Sequence, residues 1–72
     1  MTDSKKLRFI IQKSGFKYKS IAEKLGISPY GLQKKIDGIT DFKAKEICEL
    51  SKILSLSSQE RNSIFFANNV AK

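Results

Sequence analysis

Three side chains on one predicted helix have the chemistry to bind a nucleic acid. Tyr30, Gln33 and Lys34 share the face of that helix opposite its apolar residues. A glutamine can make two hydrogen bonds to adenine, and a lysine can donate to guanine or to a phosphate. The tyrosine offers a ring for a thymine methyl group and a hydroxyl for a phosphate. The residue types therefore indicate binding chemistry at this helix.

Catalysis has little support in the sequence. The chain has one cysteine, Cys48, and no histidine that could activate it as a nucleophile. No pair of carboxylates falls at helical spacing on a predicted pocket, and no group of residues has metal-ligand spacing. We therefore expect a protein that is not an enzyme and holds no metal or other cofactor, with Cys48 as a small buried hydrophobe.

The helix that carries the binding side chains is the second of two short helices predicted within residues 17–38. The first covers about Tyr18–Leu25, and Gly26 follows it, where a left-handed C-terminal cap favours a residue without Cβ. Ser28 is a good N-cap for the second helix, and Pro29 suits its first position. The spacing predicts a helix, a sharp turn and a second helix.

The remaining apolar periodicity completes an all-α fold of five helices in a single domain, residues 1–72. The three further helices are expected over about residues 4–14, 42–54 and 58–66. Ser4 would cap the first, and Thr40 or Asp41 the fourth. Ser57 and Glu60 form a capping box for the fifth. Residues 1–3 and the tail, residues 67–72, are expected to be loose.

Positive charge is concentrated in the first part of the chain. The formal net charge is +7, and all of this excess lies in residues 1–45, whereas residues 46–72 are neutral. This asymmetry favours a polyanionic partner for the half with the two short helices. The alternative is that the lysines merely solvate a small surface. No signal peptide is visible and no apolar run approaches the roughly 20 residues of a membrane span, so we expect a soluble cytoplasmic protein without a membrane partner.

Residues 17–38 resemble the helix-turn-helix of small phage repressor and Cro-like proteins. The resemblance extends to residues 35–38 (KIDG), 41–44 (DFKA), 46–47 (EI) and 64–67 (IFFA), which look like Cro-type proteins of phages from Gram-positive bacteria. The length and the ending look most like the modulator-of-repression proteins that oppose a lysogeny repressor in lactococcal phages. The resemblance implies a lambda-repressor-like DNA-binding domain.

The resemblance also implies which residues contact double-stranded DNA. In this family the second motif helix enters the major groove and the first lies across the backbone. Position by position, base reading falls on the second helix and backbone contact near Tyr18 and Ser28. The expected DNA-binding residues are Lys17, Tyr18, Lys19, Ser28, Pro29, Tyr30, Gln33, Lys34 and Lys35. The chain departs from the family where Tyr18 replaces a common glutamine, where Pro29 lacks a donor, and where Gly31 weakens the helix by roughly 0.8–1.0 kcal/mol relative to alanine.

The implied function is regulation of the phage lysis–lysogeny switch in the host bacterial cell. Such a regulator would oppose the lysogeny repressor by binding operator DNA as a weak homodimer, by binding the repressor directly, or by both. The alternative is a purely protein-binding antirepressor with a degenerate DNA-reading helix. It is favoured by exposed apolar residues, since Phe9 lies off the inner face of the first helix and residues 64–66 point in more directions than one core can use. The candidate protein-interface residues are Phe9, Tyr30, Lys34, Lys35, Phe65 and Phe66.

Overall fold

Five α-helices and no strand make up residues 2–66, which are the residues that the structure, a computed structural model, describes. The helices are α1 (Ser4–Ser14), α2 (Tyr18–Leu25), α3 (Pro29–Ile36), α4 (Ala44–Ile53) and α5 (Ser58–Phe65). The predicted all-α class is confirmed. The prediction of a loose tail, residues 67–72, lies outside the described residues. Within the described range, no helix combines the length and the apolar character needed to cross a membrane.

One apolar core joins the five helices. α2 packs against α3 and α4, α1 against α3 and α5, and α4 against α5. Each fully buried large aliphatic side chain contributes roughly 1.5–3 kcal/mol, so this core is the main stabilising feature of the small domain. The buried residues are Leu7, Ile11, Ile21, Ala22, Leu32, Ile36, Phe42, Leu50, Ile64 and Phe65.

The start of α1 differs from the prediction. Asp3, and not Ser4, is the N-cap, because its carboxylate accepts the N–H of Lys6 at 3.2 Å. The backbone N–H of Asp3 also donates to the carbonyl oxygen of Ile64 at 2.6 Å. Asp3 is therefore held in place, and the expectation of a loose residue 3 was wrong. The Ser4 hydroxyl instead donates to the carbonyl oxygen of Ile36, the last residue of α3.

The fourth helix begins at Ala44, two residues later than predicted, and neither Thr40 nor Asp41 caps it. Its N-cap position is Lys43, whose backbone is extended and whose N–H donates to the Glu46 carboxylate at 2.8 Å. The cap is thus supplied by a side chain from the first turn of the helix itself. Local sequence pointed to the more familiar Thr and Asp caps and missed this arrangement.

Phe65 belongs to the core, which corrects its assignment to a protein interface. It is only 4% exposed, and its ring packs edge-on against Phe42 with 5.3 Å between centroids. Ile64 is fully buried as well, whereas Phe66 remains 38% exposed. Adjacent helical residues point about 100° apart, so the core takes two of the three side chains and leaves Phe66 at the surface.

The outer face of α4 carries apolar residues that were expected inside. Leu50 is fully buried, but Ala44 and Cys48 are exposed and Ile47 is only partly covered. The prediction of Cys48 as a buried hydrophobe was therefore wrong. Because α4 packs on both α2 and α5, its inner face is set by contacts that the periodicity of one helix does not define.

Candidate functional site

A tight turn sets the angle between α2 and α3. Gly26 has a left-handed backbone with φ +73°, and its N–H donates to the carbonyl oxygen of Glu23 at 3.1 Å. The N–H of Ile27 reaches back to Ala22 at 3.0 Å, completing a Schellman-type cap. Ile27 is partly buried against the core. The glycine was predicted for this reason, and the bounds of α2 agree with the predicted ones.

The start of α3 is fixed by its own side-chain cap. The Ser28 hydroxyl oxygen accepts the N–H of Gly31 at 3.0 Å, and Pro29 occupies the first helical position, where no N–H is required. Because the hydroxyl oxygen is engaged in the cap, the hydroxyl hydrogen is what Ser28 has left to offer a phosphate.

The outward side of α3, which we call the α3 face, consists of Pro29, Tyr30, Gln33 and Lys34. Tyr30 is 71% exposed, Pro29 and Gln33 are exposed, and Lys34 is partly exposed. The Lys34 ammonium lies 5.5 Å from the centroid of the Tyr30 ring, within cation–π range. The α3 face thus places an aromatic ring, an amide and an ammonium side by side, one turn apart on a helix.

The predicted backbone-contact residues lie at the start of α2. Lys17 is its N-cap residue, and both Lys17 and Lys19 are exposed. Tyr18 is partly buried and packs against the core, and it lines a hollow of about 470 Å³ together with Phe16. The two lysines are therefore available as charges, whereas the Tyr18 ring is partly committed to structure.

Lys35 differs from the other predicted contacts, because its charge is used inside the domain. Its ammonium lies 3.0 Å from the Glu46 carboxylate and donates to the carbonyl oxygen of Asp41 at 2.9 Å. The Lys35 and Glu46 side chains are only 14% and 12% exposed. Lys35 is therefore not a free surface charge for DNA or for a protein partner, and it ties the end of α3 to the start of α4.

Two further contacts hold the C-terminal end of α3. Arg8 of α1 forms an ion pair with Asp37, the residue that caps α3. The Ser4 hydroxyl donates to the carbonyl oxygen of Ile36, as described above. Together with the pair formed by Lys35, these contacts fix the orientation of the α3 face relative to α1 and α4.

The carboxylate of Glu46 has a pKa below its ordinary value. Burial alone would raise this pKa, but the hydrogen bond from the Lys43 N–H and the neighbouring Lys35 ammonium outweigh it. A carboxylate whose pKa is lowered on folding stabilises the folded state above its unfolded pKa. That stabilisation is lost as the pH falls through the folded pKa.

We expect Glu46→Gln to lower the free energy of unfolding at pH 7 and to make it less dependent on acid. The difference from the unaltered protein should be largest at neutral pH and should vanish as the pH falls below the folded pKa of Glu46. Urea unfolding followed by circular dichroism between pH 7 and pH 2 measures this. Glu23→Gln, at an exposed carboxylate without an ion pair among the described residues, is the matched control. A constant difference at every pH would contradict the assigned role.

Ile39 is a surface residue that the sequence reasoning did not single out. Gly38 has φ +81°, and the Ile39 N–H reaches back to the Lys34 carbonyl oxygen at 2.9 Å. The same cap occurs at Ile27 and at Leu56, and both of those side chains pack against the core. Ile39, in contrast, is 68% exposed beside the α3 face. The signal was present in the sequence, since an apolar residue follows a glycine in both places.

The other exposed aromatic residues lie outside α3. Phe9 is 59% exposed on α1, in agreement with its predicted position off the inner face, and the Lys13 ammonium lies 5.4 Å from its ring centroid. Phe16 is 39% exposed, with the Lys24 ammonium 5.3 Å from its ring. Such pairs partly cover each ring with an aliphatic lysine stem.

Metal-ligating side chains are not clustered. In residues 2–66, no three or more His, Cys, Asp or Glu side chains lie close enough together to hold an ion.

Comparison with known proteins adds no relative. No protein-family model, curated protein or solved structure matches the chain. The functional conclusion therefore depends on the geometry described above and on the resemblance of the motif residues.

Proposed function

We propose that the protein is a Cro-like transcriptional regulator of the phage lysis–lysogeny switch. In this proposal α2 and α3 form the helix-turn-helix of a lambda-repressor-like domain. The protein opposes the lysogeny repressor by binding DNA, by binding the repressor, or by both. The observation that carries the proposal is the α3 face, an exposed helix surface that combines Tyr30, Gln33 and Lys34 and is held by a capped turn.

DNA binding is supported by the chemistry and charge around this face. An α-helix fits the major groove, where Gln33 can recognise adenine and Lys34 can donate to guanine or a phosphate. Lys17 and Lys19 are exposed at the start of α2, where the family places backbone contacts. The net charge of +7 adds attraction to any duplex. Lys35 is left out of this role because it is paired with Glu46.

A purely protein-binding antirepressor is the second candidate, and the apolar exposure beside α3 favours it. Tyr30 and Ile39 have the largest exposed fractions, 71% and 68%, of the large hydrophobic residues in the described range. Exposed tyrosines are enriched in protein interfaces, where the ring is buried and the hydroxyl finds a partner. Pro29 and Gly31 supply no side-chain donor for base reading. The same face thus has features of a protein contact.

Binding measurements with separate partners distinguish the two candidates. Fluorescence anisotropy would be recorded with an operator duplex, with an unrelated duplex, and with the repressor's DNA-binding domain in the absence of DNA. The regulator proposal fails if none of the three binds. Ile39→Ser removes an exposed apolar side chain and leaves every basic residue in place, so we expect it to weaken the repressor complex while duplex affinity stays unchanged.

Gln33→Ala should change sequence preference if α3 reads bases. We expect a cost of about 1–3 kcal/mol at one base pair of the operator and relaxed preference there, because a bidentate contact is lost. Competition binding with single-base operator variants measures it, and Gln59→Ala on the exposed side of α5 is the matched control. Equal weakening on all sequences would make Gln33 a positioning contact instead.

A further inference from the structure

We propose that a second copy of this chain docks on the apolar surface between α4 and α5, giving a two-fold homodimer. This surface contains a hollow of about 390 Å³ lined by Phe42, Ala44, Ile47, Cys48, Arg61 and Phe66. A second hollow, of about 240 Å³, adjoins it. It shares Phe42, Ile47 and Phe66 with the first and adds Asp41. We call the two hollows together the α4–α5 surface.

The exposed groups of the α4–α5 surface are mainly apolar. Ala44 and Cys48 are exposed, Ile47 is partly covered, and Phe66 is 38% exposed at the rim that separates the two hollows. The small side chains of Ala44 and Cys48 leave room beside the protruding aromatic ring. A ring next to a hollow lets two copies exchange Phe66 side chains, each entering the hollow of the other.

The charges on this surface are self-complementary. Arg61 lines only the first hollow and Asp41 only the second, on either side of the wall formed by Phe42, Ile47 and Phe66. In a two-fold interface the same patch meets itself in the opposite direction. Arg61 of each copy then faces Asp41 of the other, so the rim pairs unlike charges.

The overall charge distribution favours the same surface for a second copy. Residues 1–45 carry the whole net charge of +7, and residues 46–72 are neutral. Two copies that met through their basic halves would bring like charges together, which is costly at an interface. Five of the eight residues of the α4–α5 surface come from α4, α5 or the residue after α5, and the remaining three precede α4.

The α4–α5 surface is separate from the α3 face. Neither hollow contains a residue of α2 or α3. A dimer built in this way leaves both α3 faces open, so self-association is independent of whether α3 binds DNA or a protein.

The single cysteine reports directly on whether this surface is covered. The rate of Cys48 alkylation by N-ethylmaleimide would be measured on the full chain over a wide range of protein concentrations, beside sedimentation equilibrium. We expect alkylation to slow as concentration rises, over the range in which the mass moves from monomer to dimer. Fast alkylation at all concentrations means an open surface, and slow alkylation at all concentrations means a cover from within the same chain. Either result overturns the proposal.

Ala44→Glu tests the same interface by charge. Ala44 is exposed at the first position of α4, where an acidic residue is compatible with the helix dipole, so the variant should fold. Two added carboxylates near one interface should weaken the dimer roughly tenfold or more by sedimentation. Ser58→Glu places the same charge at the exposed first position of α5, outside both hollows, and should leave the dimer unchanged. Equal effects of the two variants, or none, would refute docking at this surface.

Discussion

Phe65→Ala is expected to lower the free energy of unfolding by about 3–5 kcal/mol, the usual cost of removing a buried phenylalanine. Phe65 is 4% exposed and packs edge-on against Phe42 at 5.3 Å, so the substitution leaves a cavity where α4 and α5 meet. Domains of this kind are stable by only roughly 5–15 kcal/mol, so a substantial fraction of the variant should be unfolded. Urea unfolding monitored by far-ultraviolet circular dichroism measures the loss.

Phe66→Ala is the control for this prediction, because it makes the same chemical change one residue further along. Phe66 is 38% exposed, so much less of its area leaves water on folding and the expected loss is well under half of that at Phe65. Comparable losses at the two positions would show that the assignment of Phe65 to the core and Phe66 to the surface is wrong.

Replacing Lys17, Lys19 and Lys34 together by glutamine is expected to reduce duplex binding and its dependence on salt. Each lost phosphate contact lowers the slope of log affinity against log salt by roughly 0.9, so three contacts should lower it by about 2.7. The loss of affinity should be greatest at low salt, where released counterions contribute most. Anisotropy titrations at several salt concentrations give the slope directly.

A second triple variant separates specific contacts from net charge. Lys5, Lys45 and Lys52 are exposed and lie away from the α2–α3 motif, and their replacement by glutamine changes the net charge by the same amount. We expect this variant to keep most of the slope. Equal slopes for the two variants would mean that only overall charge attracts the duplex, and that the three motif lysines have no special position.

The α2–α3 region was predictable because its signals are local. Gly26 adopts the left-handed backbone that its position after the last apolar residue indicates, and Ser28 and Pro29 occupy the cap and first helical positions. Each of these preferences is decided within a few residues of the chain. The exposed positions of Tyr30 and Gln33 then followed from helical periodicity alone.

The features that were missed depend on contacts between distant parts of the chain. Lys35 was taken as a surface charge, but α4 brings the Glu46 carboxylate to 3.0 Å from its ammonium. The choice between Phe65 and Phe66 for the core depends on where Phe42 lies, and no periodicity within residues 58–66 contains that information. Ile39 was overlooked because caps of this type usually cover their apolar residue, as at Ile27.

The hydrogen bond from the Asp3 N–H to the Ile64 carbonyl oxygen has a consequence for how the chain folds during synthesis. It joins α1 to α5, whose residues are made almost last. Leu7 and Ile11 become fully covered only in the completed core, which includes Ile64. Chains are made from the N-terminus, so a nascent chain keeps apolar surface of α1 open until α5 has left the ribosome. A ribosome that stops before residue 58 would therefore release a product that cannot close its core and is open to proteolysis.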